Sequence, residues 1–180
     1  LGFEEARAAA SAIGDLLDRF GLNSPAKIYH SPQLRTSQTA AVIAEELKLE
    51  LVPEKRIREL GFGDWEGFSM DQIEASESQE IAAWRGSLSA KPPGGESVLE
   101  LEARVGSALD EIVLQNPGAS VVMVTHMMPA RAVGRRALKS DPETNWALQF
   151  SPASVSVYRF FGSGLSETFA INSVSHLPRH

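Results

Sequence analysis

The chain of 180 residues has no cysteine, which excludes a disulfide framework, a thiolate nucleophile and a cysteine zinc site. That lack is compatible with a reducing cytosol, and a cytoplasmic location is the expectation. Positive charge is also scarce, with 17 Lys and Arg against 23 Asp and Glu and a net charge of -6. Nucleic-acid backbones call for a basic footprint, so no nucleic acid is expected as a partner and any cation that binds an anion must act locally. No apolar run approaches the roughly 18 residues of a membrane span, and no basic segment followed by an apolar stretch opens the chain. A membrane partner is therefore not expected. Only four histidines are available for imidazole chemistry.

The chain carries 43% hydrophobic and 22% charged residues, ordinary values for a globular protein, and its length fits one domain over residues 1–180. Ala9, Ile13, Leu16, Leu17 and Phe20 recur at helical spacing from Phe3 to Phe20, before the stop at Gly21. A helix with one apolar face needs a cover, which points to sequence preceding this one. Ala26 to His30 reads as a strand, and Ser31 as N-cap with Pro32 at the first helical position predicts a helix carrying Arg35 near its start. Leu51 to Pro53 reads as a second strand. Two capping boxes, Ser69 to Gln72 and Ser97 to Glu100, predict a helix ending near Trp84 and another through Ile112.

The continuous run Val121 to Val124 predicts a strand buried on both faces, delivering Thr125 and His126 at its carboxyl end. Pro129 suits the first turn of the helix that follows, and Ser154 to Phe161 with Leu165 to Asn172 predicts a hairpin. Strands alternate with helices, so the fold class expected is α/β.

Three segments carry chemistry. Ligands of open α/β sheets bind beyond the carboxyl ends of strands, and both His30-Ser31 and Thr125-His126 stand at such ends. A phosphate ester there meets the Arg35 fork, helix amino termini, and a further donor from His126 in its charged form. Glu59, in the run Glu59 to Gly67, supplies a carboxyl group for proton donation. Each residue taken singly has a plainer explanation: Arg35 as a solvated helix arginine, Glu59 in an ion-pair cluster with Arg56 and Arg58, His126 as a satisfied half-buried histidine.

Together these residues resemble the histidine phosphatase, or phosphoglycerate mutase-like, superfamily. Residues 31 to 40 are similar to its pattern Ser-Pro-Leu-x-Arg-Ala-x-Gln-Thr-Ala, and Glu59 with Gly63, Trp65, Glu66 and Gly67 is similar to the segment carrying its acid. Pro92 to Ser97 resembles it too. The resemblance implies a three-layer α/β/α sandwich with a mostly parallel central sheet. It implies a small phosphate ester as substrate and a phosphohistidine intermediate, with no metal or cofactor. Glu59 and His126 would be the catalytic residues, and Arg35 and Met127 the substrate-binding ones. Segments around Phe68 to Trp84 and Trp146 to Phe150 are expected as substrate walls.

Two departures stand out. His126 is followed by Met127-Met128-Pro129-Ala130-Arg131 where many members have two glycines, and the Arg-His-Gly motif that supplies the nucleophile does not occur in these residues. Neither His30, His176 nor His180 matches the nucleophile's context, and Leu1-Gly2 resembles the end of a segment lying downstream of that motif. Three explanations stay open: the motif precedes this sequence, it is cleaved or disordered, or the member is degenerate. Survival of three site motifs favours the first, so the nucleophile is expected upstream, and this chain alone is expected not to turn over.

His126 to Arg131 and Asn172 to Leu177 further resemble the carboxyl-terminal acid phosphatase domain of actinobacterial bifunctional proteins, similar to α-ribazole phosphatases, with a ribonuclease H domain upstream. A homo-oligomer is compatible with the sequence. The alternatives are a phosphoglycerate mutase and, in another class, a non-catalytic phosphate-ligand binding module.

Overall fold

Apolar residues at helical spacing and strand-to-helix alternation place every main element. The structure, a computed structural model, describes residues 2–178; the expectations on Leu1 and His180 lie outside them. Helix α1 (Gly2–Arg19) buries Ala6, Ala9, Ala10, Ala12, Ile13 and Leu17 as one stripe. Strand β1 (Pro25–His30), helix α2 (Leu34–Leu47) and strand β2 (Glu50–Pro53) form a parallel unit. A short 3-10 turn at Lys55–Ile57 and another at Gly63–Trp65 punctuate the loop that carries Glu59. Helices α3 (Met70–Ser76), α4 (Ser78–Gly86) and α5 (Val98–Gln115) follow, then strand β3 (Ser120–Val124) and helix α6 (Met127–Leu138). The short helix α7 (Thr144–Ala147) precedes the hairpin of β4 (Val155–Phe160) and β5 (Ser166–Ser173).

The parallel sheet has the order β2-β1-β3, with His30 paired to both Pro53 and Val124. Period-two alternation divides its contacts between two cores. Ile28, Val122 and Val124 pack with Ala10, Ile13, Leu17, Ala40 and Ile43 of α1 and α2. On the opposite face, Met123 joins Val98, Leu101, Val105, Met128, Ala132 and Val133 of α5 and α6, together with Trp65 and Trp84. Two helical layers thus enclose the parallel strands, which is the α/β arrangement expected. The antiparallel hairpin forms a separate two-stranded sheet and is tied to α1 by Phe20 against Phe169, ring centroids 5.2 Å apart.

Three local expectations need correction. Helix α2 begins at Leu34 with Gln33 as N-cap, not at Ser31 and Pro32. The Ser31 hydroxyl bonds to the His126 imidazole and accepts only a long bond from Gln33 N at 3.4 Å, before the helix begins. The helix expected from Ser69 to Trp84 is two helices, broken at Glu77, whose carboxylate leaves the helical path to accept from Trp65 Nε1 at 2.5 Å. Strand β3 is half-buried except at Val124, because among the described residues it pairs only with β1. The described strands make the parallel sheet of three and the expected hairpin.

Both capping boxes are present, with reciprocal bonds between Ser69 and Gln72 and between Ser97 and Glu100. Ser97 is fully enclosed at the start of α5, so Ser97→Ala is expected to destabilise the chain by about 1 kcal/mol, read as a lower urea midpoint at unchanged m. An unchanged midpoint would mean that this cap contributes nothing.

Candidate active site

Parallel pairing brings the carboxyl ends of β1 and β3 to the same edge, where Ser31 N donates to Val124 O at 3.0 Å. Helix α2 leaves from one end and α6 from the other. The N-caps, Gln33 and His126, make no side-chain capping bond. Neither helix amino terminus is capped by its own N-cap side chain, although Met128 N in the first turn of α6 donates to Glu59, and the positive ends of both helices favour an anion. Arg35 lies in the first turn of α2, and Met127 is the first residue of α6.

Arg35 and His126 are in contact. Arg35 Nε donates to His126 Nδ1 at 3.1 Å, and the other ring nitrogen lies 2.8 Å from Ser31 Oγ. An arginine only donates, so Nδ1 is the acceptor and the proton sits on Nε2, directed at the serine hydroxyl. Burial, with Arg35 and Arg104 nearby, pushes the imidazole pKa down to about 4. His126 is thus neutral in the unliganded site, where the sequence predicted a charged donor. The reason is physical: desolvation and an adjacent guanidinium both oppose a second positive charge.

This has a consequence for stability. An unfolded imidazole titrates near 6.5 and the folded one near 4, so between those values the unfolded chain binds a proton that the folded chain does not. Stability is lost as pH falls through that window, by on the order of 2 kcal/mol for this group. Urea midpoints should fall less between pH 6.5 and 4.5 in His126→Gln than in the parent. Equal falls would remove His126 from this role.

Glu59 stands apart from the ion pairs that its neighbours make. Arg56 pairs with Glu54 at 2.6 Å and Glu111 at 2.8 Å. Glu59 Oε1 instead accepts from Leu60 N at 2.9 Å and from Met128 N at 3.3 Å, which ties it to the first turn of α6. Burial raises its pKa above the ordinary carboxylate value against the opposing pull of those two N–H groups, Arg35 and Arg104. A carboxyl group whose pKa is raised by burial beside a phosphate site is better suited to donate a proton.

The backbone around Glu59 is fixed by residues that sequence reasoning missed. Gln33 Oε1 accepts from Glu59 N at 3.1 Å, joining the acid's loop to the start of α2. Arg104 pairs with Glu96 at 2.7 Å and donates to the carbonyls of Arg56, Arg58 and Glu59. Gly63, at φ +56°, packs so closely on the Pro93 to Gly95 turn that a Cβ would meet Pro93 O at 2.1 Å. Arg104 was legible only as a polar position on α5, and no local pattern announces that it reaches three carbonyls.

A cavity of about 540 Å³ opens beside Glu59, lined among others by Phe62, Trp84, Met127, Arg131 and Trp146. Met127 is exposed there, while His126 is buried behind it. Of the four site residues predicted from sequence, Glu59 and Met127 line this space, while Arg35 bonds to His126 and neither of these two is in its lining. The two expected wall segments contribute Met70, Trp84, Arg85, Trp146 and Gln149. His30 points elsewhere, with its Nδ1 2.9 Å from Ser31 O, and His176 bonds to Ala153 O. Among the described residues, no group of three or more His, Asp or Glu side chains is placed to hold a metal ion.

This chain belongs to the histidine phosphatase superfamily (branch 1), whose sequence profile matches residues 3–171. It is 30% identical over 171 residues to a bifunctional protein of Mycobacterium tuberculosis, covering 95% of this chain and 46% of that protein. The chain thus spans about half the length of the curated relative it matches. The native structure of mycobacterial glucosyl-3-phosphoglycerate phosphatase superposes with a TM-score of 0.83 at 27% identity, over 97% of this chain and 87% of that one. The α-ribazole phosphatase of Shigella flexneri shares the fold, with a TM-score of 0.76 at 19% identity over 95% of this chain and 81% of that one.

Proposed function

We propose that this chain is the phosphate-binding and proton-donating part of a cytoplasmic, metal-independent phosphomonoesterase acting on a small phosphate ester. The observation that carries the reading is the junction of half-buried Glu59, its pKa raised by burial, with the Arg35–His126 pair at two helix amino termini. Arg35 and the first N–H groups of α6 receive phosphoryl oxygens, and His126 takes up a proton as the phosphate arrives. A histidine nitrogen from a preceding segment forms the bond to phosphorus while the ester P–O bond breaks, and Glu59 gives its proton to the departing alcohol. Water then cleaves the phosphohistidine, returning its proton to Glu59. Fixed cations around the three equatorial oxygens supply the electrostatic part of the catalysis.

Two observations support a preceding segment. None of the described histidines occupies a nucleophile's position in this site. Val155 of β4 also packs in one cluster with Val122 and Val124 of β3, yet no ladder joins the two strands. A strand entering there would end beside His126. By likeness to the bifunctional relative, the parent protein carries a further domain, which the sequence resemblance identifies as a ribonuclease H.

The test is hydrolysis of p-nitrophenyl phosphate from acid to neutral pH in EDTA, comparing the parent protein with residues 1–180. Activity in the parent alone is expected. Absence of activity in both would favour the non-catalytic binding module.

A further inference from the structure

Two arginines are buried among the described residues, Arg131 and Arg135. Arg135 pairs with Glu102. Arg131, only 6% exposed, has no carboxylate within ion-pair distance among the described residues. Its Nε donates to Leu148 O at 2.8 Å, and Nη1 rests 3.5 Å from Met128 Sδ, a weak acceptor. The guanidinium lies 5.7 Å from the centroid of Trp146, and burial lowers its pKa against the pull of the Glu59 charge. A buried cation without an ion-pair partner costs several kcal/mol in a folded chain, which an arriving carboxylate would offset.

Arg131 lines the same cavity as Glu59. The other cation there, Arg85, is exposed and already pairs with Glu74 at 3.2 Å. Glu59 acts on Arg131 through its charge but makes no ion pair with it, and its Oε1 is taken by Leu60 and Met128. The rest of the wall is apolar: Trp84 and Trp146 stand edge to face at 4.8 Å, with Phe62 5.9 Å from Trp84. The volume of about 540 Å³ suits a small organic molecule.

From this arrangement we infer that the alcohol released by the enzyme carries a carboxylate, which Arg131 receives while the body of the leaving group lies against Trp84, Trp146 and Phe62. The inference rests on the reading of Arg35, His126 and Glu59 as the phosphoryl site. A carboxylate displaces the thioether from Nη1 and takes Nη2 as well, giving a forked, charge-assisted pair where the empty site has a weak contact.

The experiment is calorimetric titration of the 180-residue chain with inorganic phosphate, phenyl phosphate, and 3- and 4-carboxyphenyl phosphate. The better carboxylated ester is expected to bind at least about tenfold more tightly than phenyl phosphate. In Arg131→Gln that preference should collapse to within about twofold, and Arg131→Lys should keep part of it. Equal affinities in the unmodified chain overturn the inference without any variant, so a misfolded Arg131→Gln does not decide the matter. A preference that survives in both variants overturns it as well. Phosphate binding without a carboxylate preference refutes only this inference, whereas no binding of inorganic phosphate refutes the phosphoryl-site reading and this one with it.

Discussion

Arg35→Ala is expected to weaken binding of inorganic phosphate or vanadate about 100-fold, the loss of two charge-assisted hydrogen bonds at roughly 1.5 kcal/mol each. In the unliganded site Arg35 Nε is held by His126 Nδ1, while the side chain stays exposed. The guanidinium is thereby oriented, and it can still turn toward an arriving anion. Removing it also removes a charge that depresses the His126 pKa, so the imidazole of Arg35→Ala should titrate above the parent's value of about 4. The two effects are separable by measuring phosphate affinity by calorimetry and the imidazole titration by NMR in the same variant. An unchanged affinity would remove Arg35 from the anion site, whatever happened to the imidazole.

Glu59→Gln is the second large effect, and it concerns rate. On the proposed reading, in which a preceding segment of the parent protein supplies the nucleophile, kcat should fall about 10²- to 10⁴-fold for alkyl phosphates, whose alkoxide leaving groups need a proton. For p-nitrophenyl phosphate, whose leaving group is stable as an anion, the fall should be much smaller. Binding should change little, because the glutamine carbonyl can still accept from Leu60 N and Met128 N, the two bonds that hold this side chain. Equal losses for both leaving groups would assign Glu59 to positioning and not to proton donation.

Much of this site was legible because its parts are punctuation in the sequence. The run Val121 to Val124 ends at His126, and Arg35 follows Ser31-Pro32, so strand exits and chemistry coincide. Both capping boxes were readable since each is a local exchange of two bonds. Ser31 was misread because a serine before a proline is a good N-cap locally, and nothing local shows an imidazole 95 residues away taking its hydroxyl. The break at Glu77 had the same origin in the long-range bond to Trp65. His126 was given a positive charge because the sequence places it beside an anion site. Only the fold shows that Arg35 and burial act on the ring before any anion arrives. Arg131 was visible as part of a motif, but its lack of a partner is a fact of packing.

The mycobacterial phosphatase structure shares the frame that positions these residues, with a TM-score of 0.83. The cavity beside Glu59 is lined by Phe62, Trp84, Met127, Arg131 and Trp146, among others. One frame can host many chemistries, so on the proposed reading the lining of this cavity, and not the fold, selects the leaving group.

The most direct test of the phosphate site is the nitrogen NMR spectrum of His126 in the ¹⁵N-labelled chain at neutral pH, with and without saturating phosphate. Without phosphate, one protonated and one bare ring nitrogen are expected, with the proton on Nε2. On binding, Arg35 turns to the anion and the ring gains a proton, so both nitrogens should shift to imidazolium values. A spectrum unchanged at saturating phosphate would contradict the account.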